Sequence, residues 1–324
     1  MVTSAQPCDA FTRISGGTAL CAAWRAAREM LTVAGVQDAA FDATQLLRHA
    51  TGLDRRVHPD AALSDSQAQS FSALVRRRAA REPLQYLLGT WDFLDFTLAV
   101  GPGVLIPRAD TEIVAQTAIE AARRAAQSGT YGAAGAGSAA RRITAEGKAE
   151  SAGNHCPCVL DLCAGSGALA IGIARAVPQA AVTAVELSAD ALPWLRRNVA
   201  ALAPHVRVAA ADVFVYQNTL QGGCADVLVS NPPYITSDEM KTLAPELSCE
   251  PRMALEAGCD GLLFYRHIAA AYRGALRRGG ALVLEIGCAQ GAAVREILRA
   301  SGYAQVRVLP DAAGRDRCVS AIAI

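Results

Sequence analysis

The 324-residue sequence has few aromatic residues, almost no net charge and no long hydrophobic run. No stretch reaches the roughly 18 consecutive apolar residues of a transmembrane helix, so we expect no membrane span and no membrane partner. The formal net charge of +1 provides no general attraction to nucleic acid, and no direct nucleic-acid partner is expected. The N-terminal segment has no basic stretch followed by an apolar core, which predicts a cytoplasmic protein without a secretion signal. We also expect a monomer.

The sequence also lacks the spacings typical of metal sites and of serine nucleophiles. Its five histidines are scattered, and no G-x-S-x-G follows a predicted strand. Cys156 and Cys158, beside His155, hint at a metal or redox site, but no second ligand pair accompanies them. We therefore expect no metal and interpret the ten cysteines as reduced, mostly buried thiols.

A composition of 52% apolar and 19% charged residues is typical of a globular protein, and the length allows one large and one small domain. Residues 1–90 predict the small domain, which is helical. Apolar residues recur at helical spacing over 20–31, and Asp38 can cap a second helix. Ser64 and Gln67 have the spacing of a capping box at the start of a third helix.

A change of pattern follows the predicted helices. Two short apolar segments, 91–98 and 104–106, surround a Gly-Pro-Gly turn at 101–103. This arrangement is typical of paired strands joined by a turn. We therefore predict a β-hairpin linker over residues 91–108.

Residues 109–324 form the predicted large domain, an α/β domain. Within it, residues 128–154 are rich in Gly, Ala and Ser and have no apolar face, which predicts a flexible insertion. Beyond the insertion, short apolar strands alternate with helical patterns, as in βαβ units with a mainly parallel sheet. The predicted strands are 159–162, 182–186, 206–209, 226–230 and 281–286.

The first of these strands ends in a glycine-rich turn, Asp161-Leu162-Cys163-Ala164-Gly165-Ser166-Gly167. Such a turn lets the backbone approach a ligand where doubly wound sheets bind cofactors. The next strand ends in Glu186, a carboxylate that can accept hydrogen bonds from both ribose hydroxyls of an adenosine. The spacing predicts a nucleoside-containing cofactor, either S-adenosylmethionine or a nicotinamide dinucleotide. Asp161 favours S-adenosylmethionine, because a dinucleotide gains little from a negative charge near its pyrophosphate.

A second motif, Asn231-Pro232-Pro233-Tyr234, directly follows the strand 226–230. An amide nitrogen is a poor nucleophile, since its lone pair is delocalised into the carbonyl. The Asn231 side-chain oxygen and the Pro232 carbonyl can each accept one N–H and so direct the lone pair, while Tyr234 can stack on the flat amide. Proline suits the position because it fixes φ and removes a competing donor. The motif predicts methyl transfer to a planar, conjugated nitrogen.

These motifs and several others resemble the HemK/PrmC-type peptide chain release factor N5-glutamine methyltransferases. The resemblance covers nearly everything from Arg81 to the end, and more loosely the helical N-terminus. The further motifs that carry it are Glu82-Pro83-Leu84-Gln85-Tyr86, Ile106-Pro107-Arg108, Glu250-Pro251-Arg252, Glu285-Ile286-Gly287 and Gly314-Arg315-Asp316-Arg317.

The resemblance implies a Rossmann-like class I methyltransferase domain, with a mostly parallel seven-stranded sheet and a small N-terminal helical domain that docks the substrate. It implies transfer from S-adenosyl-L-methionine to the glutamine of the Gly-Gly-Gln motif of peptide chain release factors. Asn231, Pro232 and Tyr234 would be catalytic, and these three with Pro233 would hold the substrate glutamine. The implied cofactor-binding residues are Asp161, Cys163, Ala164, Gly165, Ser166, Gly167, Glu186, Asp212, Val213 and Asn231.

Three residues depart from the pattern of that family. Cys163 replaces the first loop glycine, so we expect an ordinary φ there. Glu186 replaces the more usual aspartate, which lengthens the ribose contact by one methylene. Val213 lies where an aromatic residue is sometimes found beside the adenine, which makes a stacking role doubtful.

Other functions share parts of this pattern. Adenine-amino DNA or RNA methyltransferases carry a similar four-residue motif, but they extrude a base and need a basic face and a target-reading domain. A ribosomal-protein glutamine methyltransferase is a second alternative. A non-enzymatic Rossmann-like binding module is a third, although it would not explain why every chemical position is filled.

Overall fold

The computed structural model describes residues 14–127 and 155–324. The predicted insertion, 128–154, lies outside the described residues. The chain divides into two compact units: unit 1 comprises Met1–Asp92, Thr97–Ile106 and Thr242–Pro251, and unit 2 comprises Phe93–Phe96, Pro107–Lys241 and Arg252–Ile324. Each unit combines segments that are distant in sequence.

Helices dominate unit 1. They are α1 (Leu20–Val33), α2 (Ala39–Thr51), α3 (Asp65–Ala79) and the short α4 (Leu84–Leu88). Their apolar faces meet in a core that includes the fully buried Leu31, Leu46, Phe71 and Val75. The predicted small helical domain is therefore confirmed.

The predicted helix starts in unit 1 are partly right. Ser64 Oγ accepts the Gln67 N–H at 3.2 Å and Gln67 Oε1 accepts the Ser64 N–H at 3.0 Å, which confirms the capping box. Asp38 precedes α2 as predicted, but its side chain makes no capping hydrogen bond. Its backbone, at φ −100° and ψ 46°, lies outside the extended region typical of capping residues.

Ion pairs fasten the segment Thr242–Pro251 within unit 1. Glu246 accepts from Arg78 at 2.9 Å and from Arg81 at 2.7 Å, and the buried Arg78 also pairs with Asp42 at 2.6 Å. Burial opposes ionisation of Glu246, but hydrogen bonds from Arg81 and Arg78 lower its pKa to about 2. A segment that follows the Asn231 motif in sequence is thus part of the helical unit.

The predicted hairpin is shorter than expected. Strands β1 (Thr90–Phe93) and β2 (Phe96–Ala99) form a two-stranded sheet. The turn falls at Leu94, which has a φ of 53°, and not at the glycines 101 and 103. The prediction of a strand over 104–106 was wrong, because the pairing is completed locally before the Gly-Pro-Gly sequence is reached.

A seven-stranded sheet forms the centre of unit 2. Its order is β5-β4-β3-β6-β7-β9-β8, and all neighbours are parallel except β9, which is antiparallel to β7 and β8. This confirms the predicted fold class and all five predicted strands to within a few residues. The strands are β3 (Cys158–Leu162), β4 (Ala181–Glu186), β5 (Arg207–Ala210), β6 (Ala225–Ser230), β7 (Leu276–Glu285), β8 (Tyr303–Pro310) and β9 (Asp316–Ala323).

Helices and short 3₁₀ turns connect these strands. The helices are α5 (Glu112–Gln127), α6 (Ala168–Ala176), α7 (Leu192–Leu202), α8 (Val213–Tyr216), α9 (Leu263–Ala271) and α10 (Gly291–Ala300). The central strands β3 and β6 are almost continuous runs of buried apolar residues, as expected for parallel strands covered on both faces. Among the described residues, no helix is both long enough and apolar enough to cross a membrane.

The cysteines are less buried than predicted. Nine of them lie in the described residues, all as free thiols, and Cys318 alone among these nine is buried. Cys156, Cys249, Cys259 and Cys288 are exposed, because they lie in loops and turns outside the sheet. The expectation of mostly buried thiols was therefore wrong.

Candidate active site

The strand order places the two predicted motifs at one switch point of the sheet. From β3 the chain adds β4 and β5 on one side, and then returns to add β6 and β7 on the other. Leu162 at the end of β3 is in register with Ser230 at the end of β6, and the Ser230 hydroxyl donates to the Leu162 carbonyl at 2.6 Å. The loop that begins at Cys163 and the motif that begins at Asn231 therefore leave the sheet side by side, where ligands bind in open α/β sheets.

The backbone of the glycine-rich loop is left-handed at three positions. The φ angles are 60° at Cys163, 54° at Gly165 and 87° at Gly167. The prediction of an ordinary φ at Cys163 was wrong. The tight turn requires this conformation there, as the next residue, Ala164, donates its N–H across to Val185 at 3.0 Å. A side chain at such a φ costs roughly 1–2 kcal/mol.

The two loop glycines are needed for different reasons. A Cβ added to Gly167 would lie 2.7 Å from Leu195 Cδ1, so this position allows close packing against α7. A Cβ added to Gly165 would meet no atom within 4 Å. Gly165 therefore serves the left-handed backbone and leaves its side of the loop open to a ligand.

Glu186 is oriented by the loop itself. Its Oε2 accepts the Gly165 N–H at 2.8 Å, and its Oε1 accepts the Ser188 N–H at 2.7 Å. Two backbone donors thus hold the carboxylate at the carboxyl end of β4, next to the glycine-rich loop. The structure brings together the residues for which the sequence predicted a shared nucleoside site.

Asp161 is a fully buried acid on β3, two residues before Cys163 at the start of the loop. Its Oδ2 accepts the Ala170 N–H of α6 at 2.9 Å, while its Oδ1 has no hydrogen-bond partner. Burial and the nearby Glu186 raise the pKa of Asp161 to about 8, although the hydrogen bond from Ala170 acts to lower it. A positively charged ligand group close to Asp161 would relieve this cost.

The region around the loop is acidic. Cys163 is half-buried as a residue, and the desolvation of its thiol and the carboxylate of Glu186 raise the pKa of that thiol, while Asp161 and Asp212 act in the same direction. Three acidic side chains therefore act on one loop residue, and Asp161 joins the other two as a charged carboxylate once a cationic ligand group offsets its burial. Such a field suits the sulfonium and ammonium groups of S-adenosylmethionine, whereas it would repel the pyrophosphate of a nicotinamide dinucleotide. The orphan Asp161 oxygen and the open side of Gly165 fit the same cofactor.

Asp212 and Val213 begin α8 beside this acidic region. Asp212 Oδ1 accepts the Phe214 N–H at 2.8 Å and so caps the helix. Val213 is buried in the core of unit 2, and its carbonyl accepts from the Tyr272 hydroxyl at 2.8 Å. The sequence provided no aromatic residue at 213, but the ring of the next residue, Phe214, lies 4.6 Å from the His267 ring.

The Asn231 motif is held mainly through Tyr234. Asn231 and Tyr234 are half-buried, while Pro232 and Pro233 are buried. Arg317 Nη1 lies 3.4 Å from the Tyr234 hydroxyl. Burial and the nearby Glu285 raise the pKa of Tyr234 to about 12, so its phenol stays neutral at physiological pH.

A buried polar group beside Tyr234 was missed by the sequence reasoning. Arg317 pairs with Asp110 at 3.1 Å and donates to the Ile286 carbonyl at 3.2 Å. Glu285 at the end of β7 is 1% exposed, and its Oε2 has no hydrogen-bond partner. The signal was present, because the segments 285–287 and 314–317 carried the family resemblance without being assigned a role.

We expect replacement of Glu285 by glutamine to flatten the pH dependence of stability. Burial raises the pKa of Glu285 to about 7, although Arg317 opposes the rise. The folded state therefore binds this proton more tightly than the unfolded state. The free energy of unfolding is therefore highest below pH 4.5, the usual pKa of a glutamate, where the buried carboxyl is neutral. It falls as the pH rises through 7, because the carboxyl then ionises in its buried position. The loss is on the order of 3 kcal/mol.

Urea unfolding of the wild type and the Glu285→Gln variant between pH 5 and 8 measures this difference. The free energy of unfolding should fall more steeply with pH in the wild type, and the two proteins should converge toward pH 5. Glu296→Gln, at an exposed position on α10, should behave like the wild type. Equal slopes for wild type and Glu285→Gln would show that Glu285 ionises without cost.

The sheet order, the glycine-rich loop at its switch point and the acid at the end of β4 define the class of the protein. It is a class I methyltransferase, an enzyme that uses S-adenosyl-L-methionine. Comparison with known sequences agrees. A model described as the PrmC N-terminal domain matches residues 22–89, and one described as the methyltransferase small domain matches residues 150–278.

Full-length relatives carry the comparison further. The chain is 36% identical to a release factor glutamine methyltransferase of Geobacter sulfurreducens, over 90% of this chain and 92% of the relative. It is 37% identical to those of Cereibacter sphaeroides (92% and 96% covered) and Streptomyces coelicolor (91% and 95%). The chain belongs to the release factor glutamine methyltransferase family.

Proposed function

We propose that this enzyme transfers the methyl group of S-adenosyl-L-methionine to the side-chain amide nitrogen, N5, of the glutamine in the Gly-Gly-Gln motif of peptide chain release factors. The observation that carries the proposal is the pairing of two motifs at one switch point. The acidic glycine-rich loop follows β3, and Asn231-Pro232-Pro233-Tyr234 follows the adjacent β6. Family membership supports the choice of substrate.

The residues that we propose to bind the cofactor surround the end of β3. Glu186 would accept hydrogen bonds from the ribose hydroxyls, and Asp161 would contribute negative charge near the cationic groups. Asp212 and Val213 would border the adenine, and Asn231 would close the site. The loop residues that would line it are Cys163, Ala164, Gly165, Ser166 and Gly167. When it is bound, S-adenosyl-L-methionine supplies an electrophilic methyl group.

On the substrate side, the motif would orient the glutamine amide. The Asn231 side-chain oxygen and the Pro232 carbonyl would each accept one N–H, which fixes the nitrogen lone pair in one direction. Pro233 would keep the backbone rigid, and Tyr234 would stack on the amide plane. Orientation of this kind can lower a barrier by about 7–11 kcal/mol in favourable cases.

No strong general base is needed in this arrangement. An amide nitrogen becomes acidic once it has been methylated and is cationic, so its proton can leave to water afterwards. Tyr234, with a pKa of about 12, stays protonated throughout and serves as a flat surface. The catalytic contribution of the motif is therefore positional.

The helical part of unit 1 would dock the body of the release factor. We propose that the enzyme acts as a monomer and needs no nucleic acid. The similar motif of adenine-amino methyltransferases leaves a nucleic-acid substrate as the main alternative, but a net charge of +1 gives little electrostatic attraction to a polyanion.

Mass spectrometry tests the proposed substrate directly. The enzyme is incubated with methyl-deuterated S-adenosyl-L-methionine in three parallel reactions. These contain folded release factor, total ribosomal proteins or double-stranded DNA as the candidate substrate. We expect a single label on the glutamine of the Gly-Gly-Gln motif. Label on DNA or on a ribosomal protein, with none on release factor, would overturn the proposal.

Replacement of Glu186 by alanine should weaken cofactor binding. The ribose hydroxyls would lose a charged acceptor worth about 1.5–3 kcal/mol, or roughly 10- to 150-fold in Kd. Titration calorimetry with S-adenosyl-L-methionine measures the change. Glu120→Ala, at an exposed position on α5, is the matched control and should leave Kd unchanged. An unaltered Kd for Glu186→Ala would remove Glu186 from the cofactor site.

A further inference from the structure

Gln290, directly before α10, makes four hydrogen bonds with its side-chain amide. Its Nε2 donates to the carbonyls of Tyr234 at 3.1 Å and Gly261 at 3.2 Å. Its Oε1 accepts the Gly287 N–H at 2.9 Å and lies 3.2 Å from the Tyr265 hydroxyl. One side chain thus joins the end of the Asn231 motif to three other segments of unit 2.

The partners themselves determine the orientation of this amide. The Gly287 N–H can only donate, so the atom beside it must be the amide oxygen. The carbonyls of Tyr234 and Gly261 can only accept, so the atom beside them must be the nitrogen. The usual ambiguity between the two ends of a glutamine amide does not arise here.

Two glycines allow the segments to approach the amide. A Cβ added to Gly261 would lie 2.5 Å from the Tyr234 carbonyl oxygen and 2.7 Å from Gln290 Nε2. A Cβ added to Gly287 would lie 2.9 Å from Gln290 Oε1. The contact between Gln290 and the motif therefore depends on glycine at positions 261 and 287, where a side chain would collide with the amide.

The motif has particular need of such a contact. Pro232 and Pro233 have no N–H, so they cannot be held by donating backbone hydrogen bonds. Beyond the motif, the Ile235 N–H donates to the Leu255 carbonyl at 2.9 Å. Between the end of β6 and that bond, the Tyr234 carbonyl is the acceptor through which Gln290 fixes the direction of the backbone.

We propose that Gln290 is a positioning residue for methyl transfer, which sets the angle of Asn231-Pro232-Pro233-Tyr234 by holding the Tyr234 carbonyl. This inference rests on the proposed function of the motif. Gln290 touches neither substrate in this proposal and acts through Tyr234. Loss of the contact should lower kcat and leave cofactor binding unchanged.

The variant Gln290→Glu tests the proposal through pH. An ionised carboxylate would put a negative oxygen against two carbonyl oxygens, whereas a protonated carboxyl can donate to one of them. We expect kcat on folded release factor to fall at least about 10-fold at pH 8, which corresponds to the free-energy cost of one buried polar group without a partner. The kcat should recover partly as the pH is lowered toward 6. KM for release factor and Kd for S-adenosyl-L-methionine should stay near the wild-type values.

Other titratable and charged groups around position 290 are common to both proteins. The variant-to-wild-type ratio of kcat at each pH therefore removes their effect, and Gln221→Glu at an exposed position is the matched control, with an expected ratio near one at every pH. The groups concerned are Tyr265 on α9, Tyr234 in the motif, Glu285 on β7, and Asp316 and Arg317 on β9.

A second variant separates positioning from folding. Gln290→Met keeps the length of the side chain and removes all four hydrogen bonds, so its kcat should be low at every pH without recovery. A pH-independent ratio for Gln290→Glu, or a fall in kcat that is matched by a fall in cofactor affinity and melting temperature, would overturn the inference. An inactive wild type would instead refute the proposed function, which keeps the two failures apart.

Discussion

Replacement of Asn231 by alanine should reduce kcat for methylation of release factor at least about 100-fold, the usual cost of losing one well-placed transition-state contact. The side-chain oxygen of Asn231 is one of two acceptors proposed to direct the amide lone pair. Alanine leaves one N–H of the substrate without a partner, so the reacting nitrogen can rotate away from the methyl donor. The loss should appear in kcat more than in KM, because the contact is strongest when the nitrogen becomes cationic.

The fold should survive this change. Asn231 is half-buried and follows β6, whose buried apolar residues and Ser230 hydrogen bond remain intact. Asn218→Ala, at an exposed position in unit 2, is the matched control and should keep full activity. Single-turnover rates and melting temperatures of the two variants measure the outcome. Near-normal turnover by Asn231→Ala would remove Asn231 from the mechanism.

The strands of the large sheet were predictable because their information is local. Buried parallel strands are short apolar runs, and β3 and β6 stand out from the helical patterns around them. Once the strands are placed, the general rule that ligands bind at their carboxyl ends brings Gly165 and Asn231 together. The structure agrees, since the ends of β3 and β6 are in register.

The errors arose where the conformation depends on distant residues. Cys163 has a left-handed φ because the turn must let Ala164 bond to Val185, and a cysteine in a sequence gives no sign of that demand. The turn at Leu94 was missed for a similar reason, because leucine is not a typical turn residue and the more obvious Gly-Pro-Gly signal lies a few residues later. In both places the surrounding structure outweighs the preference of the residue itself.

Contacts over long distances in sequence were also out of reach. Gln290 meets Tyr234 across 56 residues, and Arg81 meets Glu246 across 165. Neither residue type at these positions suggests its partner, because glutamine and arginine are usually solvent-exposed. The place of the segment Thr242–Pro251 in the helical unit, and the polar group beside Tyr234, therefore became visible only when the chain was folded.

We expect the enzyme to depend on a folded substrate, because of the shape that methyl transfer to a glutamine requires. The glutamine must protrude far enough to enter a crevice at the end of the sheet, and the two glycines before it keep the backbone narrow. A short peptide that contains only the Gly-Gly-Gln sequence is flexible in solution and must lose conformational entropy on binding. A folded release factor offers additional surface, for which we propose the helical part of unit 1 as the docking site.

We therefore expect kcat/KM for a short Gly-Gly-Gln peptide to lie far below that for folded release factor. If the remote contacts contribute about 3 kcal/mol, the difference is roughly 150-fold. Initial rates with both substrates measure it, and a folded factor with Gly-Gly-Ala in the loop controls for label elsewhere. Deletion of residues 1–80 is a poorer test, because it removes Arg78 and leaves Glu246 with less than its full set of partners. Equal values of kcat/KM for peptide and folded factor would show that docking contributes nothing, and that the Asn231 motif recognises the glutamine unaided.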